Sequence, residues 1–252
     1  MLTRICMGIA NSDNPLVSKL GETVINRMID NLENKETEKK LSEYIKRHQL
    51  DGALITKILI KVKDESFFHF MQEVVRSQKL NDYHQELLAS KKNVLLMETY
   101  LAPEGFLEPS KRLSRKAEFI YISGMIEKKS MVGIELLKTY IDNFKRDILT
   151  DELLEVALKN DCIASRYLLL RAFLSETQEI YLIKSMSLEM LKDYIEGKPI
   201  YQEGAQIVLV ENFYELSKRH QEQYGLQPKA LQLYHSKRKV EIQNRHPLST
   251  VP

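Results

Sequence analysis

The sequence predicts an all-α fold of stacked helix hairpins, closed at its C-terminal end by a longer helix. Gly and Pro, which mark tight turns, number only 9 and 7 in 252 residues, roughly half of average usage. Apolar side chains recur at helical spacing along most of the chain. They make up 43% of the residues, enough to bury a sizeable core. Pairs of apolar residues also recur every 26 to 36 residues, which predicts a series of similar hairpins.

The first half of the chain predicts successive short helices. Asn14-Pro15 supplies an N-cap and a proline at the first helical position. A run of apolar residues follows at every fourth position: Leu16, Leu20, Val24, Met28 and Leu32. The β-branched segment 54–62 keeps the i, i+3, i+4 spacing of a helix rather than strict alternation, so we expect a helix there rather than a strand. Two more short helices are predicted within 82–101.

The second half begins after the clearest interior loop, residues 102–110, which holds two prolines. Helices are predicted from about Lys111 to Glu127 and from about Ser130 to Phe144. Thr150 is a candidate N-cap, and Ser175 with Gln178 fits a capping box. The loop and the capping signals divide the chain into N-terminal hairpins (1–101), a loop (102–110) and C-terminal hairpins (111–196).

The C-terminal segment 200–246 is predicted to cap the stack. Gly197-Lys198-Pro199 is a strong stop signal. A single longer helix is expected from about Glu203 to Tyr224, and Pro228 opens a last, basic helix. A long helix with one apolar stripe suits the closing position of an array of short hairpins.

The repeat hypothesis rests on the apolar pairs that close the second helix of each hairpin. There are six of them: Tyr44-Ile45, Val74-Val75, Tyr100-Leu101, Leu136-Leu137, Leu168-Leu169 and Tyr194-Ile195. A hairpin of two short helices every 30 to 33 residues resembles the ankyrin repeat. The resemblance is best at 150–169, where Val156–Asn160 stands in place of the family's A-A-x-x-G element and Leu168-Leu169 in place of its leucine pair. No unit has the T-P-L-H motif, and the inter-helix glycine is absent.

What the resemblance implies is a solenoid that binds proteins on an extended face. Chains with degenerate ankyrin-like repeats also resemble some effectors of intracellular bacteria. Another right-angled stack of helix hairpins, or an irregular α bundle, would explain the same pattern. We therefore expect a non-enzymatic scaffold whose partner is another protein.

No catalytic motif stands out, so neither a metal nor another cofactor is expected. His84 with Glu86, and His220 with Glu222, are two residues apart and would not face one another on a helix. Cys162 follows Asp161, an acid that disfavours a reactive thiolate. A phosphate-binding glycine loop is also missing. An enzyme whose site assembles from scattered Asp, Glu and His on an α scaffold is the alternative.

Two basic clusters suggest a third function, binding of nucleic acid or anionic lipid. Their members, all candidate anion-binding residues, are Lys111, Arg112, Arg115, Lys116, Lys237, Arg238 and Lys239. Either cluster could contact phosphates, although a solvated helix surface is the simpler interpretation. No signal peptide and no membrane span is apparent, which predicts a cytoplasmic protein.

Overall fold

The computed structural model describes residues 15–62, 67–103 and 112–245, with side chains at all of them except 15–20, 145–147 and 243–245. These ranges contain fifteen α-helices and no strand. The all-α prediction is therefore confirmed. The segment 54–62, where a strand was the alternative, lies almost wholly within the helix Gly52–Lys61.

The chain divides into two compact units, Met1–Gly124 and Met125–Pro252. The helices of the first unit are α1 (Pro15–Asp30), α2 (Lys35–Ile45), α3 (Gly52–Lys61), α4 (Phe68–Ser77), α5 (Asp82–Ser90), α6 (Val94–Leu101) and most of α7 (Arg115–Glu127). Helix α1 packs on α3 and α3 on α5, while α2 packs on α4 and α4 on α6. Each odd-numbered helix forms a hairpin with the even-numbered helix that follows it. Within α1 to α6, each hairpin therefore contacts the next through both of its helices.

The second unit repeats this arrangement over more helices. They are α8 (Ile134–Ile148), α9 (Asp151–Leu158), α10 (Ile163–Arg171), α11 (Glu176–Ser185), α12 (Leu188–Gly197), α13 (Glu203–Asn212), α14 (Tyr214–Gln223) and α15 (Pro228–Arg245). Helices α9, α11, α13 and α15 pack one on the next, and we name them the first row. Helices α8, α10, α12 and α14 do the same and form the second row.

The domain boundary predicted at 102–110 falls mostly on residues outside the described ranges. The partition into 1–101, 111–196 and 200–246 therefore stays a prediction. Met125, where the second unit begins, lies inside α7.

The predicted long helix from Glu203 to Tyr224 is wrong. The chain leaves helical geometry at Phe213 (φ −136°, ψ 65°) and forms two helices, α13 and α14. The break lets Leu209 be buried in the first row while Leu216 is buried in the second row, which one straight helix could not do. The predicted cap is therefore one more hairpin. The longest described helix is α15, with 18 residues.

Burial in the second unit follows one pattern from helix to helix. Two adjacent buried residues are followed by two less buried residues and then by two more buried ones, at 153–158 in α9, 164–169 in α10, 190–195 in α12 and 205–210 in α13. At about 100° per residue, the two middle positions lie on the side of the helix opposite the buried pairs. We name these middle positions the outward positions, and we use the same name for the equivalent positions of α8 (138–139), α11 (180–181), α14 (218–219) and α15 (232–233), where one or two of the four flanking residues are less buried.

The six apolar pairs predicted to close the second helices all fall on even-numbered helices, α2 to α12. Five lie toward the C-terminal ends of their helices, but Leu136-Leu137 lies in the first turn of α8, so the prediction that it closes a helix is wrong. Eleven of the twelve residues in these pairs are buried. The exception is Leu136, which is half-buried because α8 turns Leu137, Tyr140 and Ile141 to the core instead. The pairs therefore mark core positions, as predicted.

Side-chain caps fix where many of these short helices begin. Thr150 Oγ1 accepts the N–H of Leu153, and Ser175 with Gln178 forms both hydrogen bonds of a capping box, as the sequence predicted. Cys162 caps α10 in the same way, with its Sγ 3.4 Å from the Ser165 nitrogen. Its position is thus explained by local structure.

Buried polar side chains join consecutive hairpins at equivalent places. An oxygen of Gln85 accepts the N–H of Ser114 at 2.7 Å, Glu179 accepts that of Gln202 at 3.0 Å, and Gln206 accepts that of Gln227 at 2.7 Å. In each case the donor residue directly precedes the next odd-numbered helix. These hydrogen bonds satisfy buried groups only when the neighbouring hairpin sits in one register.

His220 makes a comparable contact in α14. It is fully buried, and its Nε2 accepts the N–H of Ile200 at 2.9 Å, so that nitrogen carries no proton. Burial lowers the pKa of His220 below its ordinary value of 6.5. The folded chain therefore holds a neutral imidazole at a pH where the unfolded chain takes up a proton.

We expect the free energy of unfolding to fall as the pH drops below about 6.5, by up to about 1.4 kcal/mol per pH unit from His220 alone. The variant His220→Gln retains an acceptor for Ile200 but cannot titrate, so its stability should depend less on pH. Urea unfolding followed by circular dichroism between neutral and mildly acidic pH measures this slope. His235→Gln, at an exposed position, is the matched control; an unchanged slope in His220→Gln would contradict the assignment.

Candidate functional site

Six of the eight outward positions of the first row are apolar, the other two being Glu155 and Gln232. The six are Val156 on α9, Ile180 and Tyr181 on α11, Ile207 and Val208 on α13, and Leu233 on α15. We name these six residues the apolar strip. Tyr181 is 43% exposed, and the other five are half-buried. Since each helix of the row packs on the next, the strip crosses four neighbouring helices.

The outward positions of the second row have the opposite character. All eight are polar or charged, apart from the ring of Tyr167: Lys138, Thr139, Arg166, Tyr167, Lys192, Asp193, Lys218 and Arg219. Arg166 Nη1 lies 2.6 Å from Asp193 Oδ2, so outward positions on adjacent helices do lie side by side. The two rows thus share one burial pattern but differ in the polarity of their outer surfaces.

Charge is distributed unevenly along the first row. Helices α9, α11 and α13 of the first row carry seven carboxylates and a single lysine, whereas α15, the fourth helix of that row, carries five basic residues and one acidic residue. The four helices of the second row carry eight acidic and eight basic residues. The apolar strip therefore lies in acidic surroundings on α9, α11 and α13 and in basic surroundings at its α15 end, whereas the second row carries equal numbers of acidic and basic residues.

An exposed aromatic pair lies on the loops that lead into α11 and α13. Phe173 is 86% exposed and Tyr201 45% exposed, and their ring centroids are 6.3 Å apart. Lys198 lies beside them, with its ammonium 5.3 Å from the centroid of the Phe173 ring. A phenylalanine this exposed on an ordered loop is a candidate anchor for a partner.

Two buried charged residues hold these loops in place. The ammonium of Lys198 donates to the backbone oxygen of Ala172, which joins the two loops. Glu179, with no exposed surface, accepts the N–H groups of Tyr201 at 3.1 Å and Gln202 at 3.0 Å. Burial raises the pKa of Glu179 and lowers the pKa of Lys198. Because desolvation is offset by these hydrogen bonds, the aromatic pair is presented on a fixed support.

The basic residues singled out in the sequence are partly engaged in internal contacts. Arg112 Nε lies 3.2 Å from the buried Glu118, and Lys116 Nζ lies 2.6 Å from Glu86. Lys237 donates to the backbone oxygens of Val210 and Glu211 and so caps the end of α13. Three others are exposed, namely Arg115, Arg238 and Lys239. Lys111 lies outside the described residues, and anion binding by the two clusters stays a prediction.

The histidine and cysteine candidates have structural contacts. His84 is buried: its Nδ1 accepts the N–H of Asn81, and its Nε2 donates to the backbone oxygen of Gly52 at 3.0 Å. Among the described residues, no group of three or more His, Cys, Asp and Glu side chains is placed to hold a metal ion. Nor does any described helix have the length and apolarity needed to cross a membrane.

Neither the apolar strip nor the aromatic pair was predicted from the sequence. Ile207 and Val208 follow Ala205 and precede Leu209, so in the sequence they are indistinguishable from core residues. Only the burial pattern separates them. The excess of carboxylates on α9, α11 and α13 could have been found by counting charges helix by helix.

Comparison with known proteins adds no relative. No protein-family description matches this sequence, and neither a curated protein nor a solved structure shows detectable similarity to it.

Replacing Glu179 tests the support beneath the aromatic pair. Glu179→Ala leaves two buried N–H groups without an acceptor and should lower the free energy of unfolding by about 2–4 kcal/mol. Glu179→Gln keeps one side-chain oxygen, as Gln206 does at the same position of α13, so it can still accept from one of the two N–H groups and should cost less. Urea denaturation of the two variants measures the difference. Equal losses for both would show that these hydrogen bonds do not hold the loop.

Proposed function

We propose that this chain is a non-enzymatic protein-binding module, built as a solenoid of helix hairpins that resembles an ankyrin array. The support for the solenoid is the recurrence of contacts one hairpin apart. Gln49 bonds to Ser77, Arg166 to Asp193 and Glu176 to Gly204, at separations of 28, 27 and 28 residues. Such arrays stabilise each repeat through its neighbours and leave one long face for a partner.

The proposed docking face is the first row of the second unit. The single observation that carries this proposal is the contrast between the rows: the outward positions are apolar on α11 and α13 but charged on α12 and α14, and occupied by Arg166 and Tyr167 on α10. Apolar outward residues on neighbouring helices form a continuous surface whose burial against a partner is favourable. Tyr181, the most exposed of them, has the aromatic character typical of interface hot spots.

The aromatic pair, Phe173 and Tyr201, is proposed as a second anchor of the same module. Its loops lead directly into α11 and α13, which carry the central part of the strip. An ordered support lowers the entropy that a loop loses on binding. The cytoplasmic location expected from the sequence stays a prediction.

The variant Tyr181→Glu tests the proposal, because a charge in the middle of the strip should cost a bound partner roughly tenfold or more in affinity. Leu188→Glu makes a similar apolar-to-acidic change at a residue 59% exposed, at the start of α12 and away from the strip. Tagged chains are expressed in cells, and the proteins retained with each are quantified by mass spectrometry. Thermal unfolding confirms that both variants are folded.

We expect partners that the unmodified chain and Leu188→Glu retain to be lost from Tyr181→Glu. If the same proteins are retained by all three chains, the strip is not the docking face and the proposal fails.

A further inference from the structure

Most of the acidic residues of α9, α11 and α13 lie in the N-terminal halves of these helices, with Glu211 at the other end of α13 as the clearest exception. Asp151 and Glu152 lie in the first turn of α9, Glu176 in that of α11 and Glu203 in that of α13. Glu176 accepts the N–H of Gly204 at 2.9 Å, and Glu203 accepts that of Lys229 at 2.9 Å. First turns therefore meet first turns along the row. With Glu155, these residues form what we name the acidic edge.

Little of this negative charge is neutralised by cations. Glu155 pairs with Lys159 at 3.6 Å, with both side chains more than half exposed, and Glu203 lies 3.8 Å from Lys229. Contacts with exposed lysines at such distances are weak. The hydrogen bonds from Gly204 and from the Lys229 backbone come from neutral groups. The acidic edge therefore keeps most of its charge beside the apolar strip.

The spacing of the strip favours one form of partner. Packed helices lie about 8–10 Å apart, so the strip offers apolar patches at that interval across four helices. Residues seven apart on an α-helix are about 10.5 Å apart along its axis. The described residues contain no strand, hence no sheet edge to which an extended peptide could add. A helix laid across the row therefore fits better than an extended segment.

We propose that the partner docks an amphipathic helix, with its apolar side on the strip and Lys or Arg side chains against the acidic edge. This inference rests on the proposed function and adds the form and charge of the partner to it. Opposite charges across an interface accelerate association and exclude like-charged competitors. The second row carries equal numbers of acidic and basic residues and therefore does not favour a cationic partner.

The test uses two synthetic amphipathic peptides of about 21 residues, three heptads with Leu at the apolar positions. One carries Lys and the other Glu at the remaining positions. Each is labelled and titrated with the full-length chain, with fluorescence anisotropy as the readout. We expect the Lys peptide to bind roughly tenfold or more tightly than the Glu peptide. Its affinity should fall as salt is raised.

Variants of the chain separate the contribution of charge from that of the strip. The double change Glu152→Lys with Glu155→Lys should weaken Lys-peptide binding by roughly tenfold. Tyr181→Ala should also weaken it by removing a strip contact. Leu188→Ala, at an exposed apolar residue outside the strip, should leave it unchanged.

Different experimental outcomes would overturn the two proposals. Three outcomes would overturn the cationic-helix inference. They are equal binding of both peptides, Lys-peptide binding that is unaffected by the double change at Glu152 and Glu155, and no binding of either peptide. The docking-face proposal is then decided by whether Tyr181→Glu still retains the partner proteins that the unmodified chain retains. Lys-peptide binding that needs the acidic edge but is unaffected by Tyr181→Ala is purely electrostatic, and it also overturns the inference that a helix docks with its apolar side on the strip.

Discussion

Helices of eight to ten residues make up α9 to α14, and none of these is long enough to persist alone in water. Each is ordered because its buried residues pack on neighbouring helices. Leu168 and Leu169 of α10, like Tyr194 and Ile195 of α12, are at least 98% buried. Packing against the next hairpin is thus the interaction on which the structure of the second unit depends.

Apolar packing alone would allow a helix to slide along its neighbour, and buried polar groups remove that freedom. Glu179 and Gln206 occupy the same position in successive helices, and each accepts a backbone N–H of the loop that follows one hairpin later. Lys198 links two loops in a similar way. A buried donor or acceptor without its partner is costly, so each of these contacts selects one register.

Much of the fold could be predicted from local signals. Caps such as Ser175, and the apolar pairs of the even-numbered helices, depend on nearby residues and were correctly identified. The break at Phe213 was not, because no Gly or Pro marks it and its cause is the packing of Leu209 and Leu216 in different rows. The apolar strip was missed for a related reason, since Ile180 and Ile183 look alike until burial separates them.

One scaffold therefore carries two different surfaces. The buried pairs are common to both rows and determine the stacking, which leaves the outward positions free to differ. In the first row these positions are apolar beside carboxylates, and in the second row they form ion pairs such as Arg166 with Asp193. A polar outer surface in one row and an apolar one in the other is the pattern expected if only one of them meets a partner.

Hydrogen exchange of the intact chain tests the dependence of each hairpin on its neighbours most directly. Leu191, fully buried in α12, is replaced by Ala, and amide exchange is compared with that of the unmodified chain. If stacking stabilises the helices, exchange should accelerate in α10 and α14 as well as in α12. Acceleration confined to α12, with its neighbours unchanged, would contradict the account.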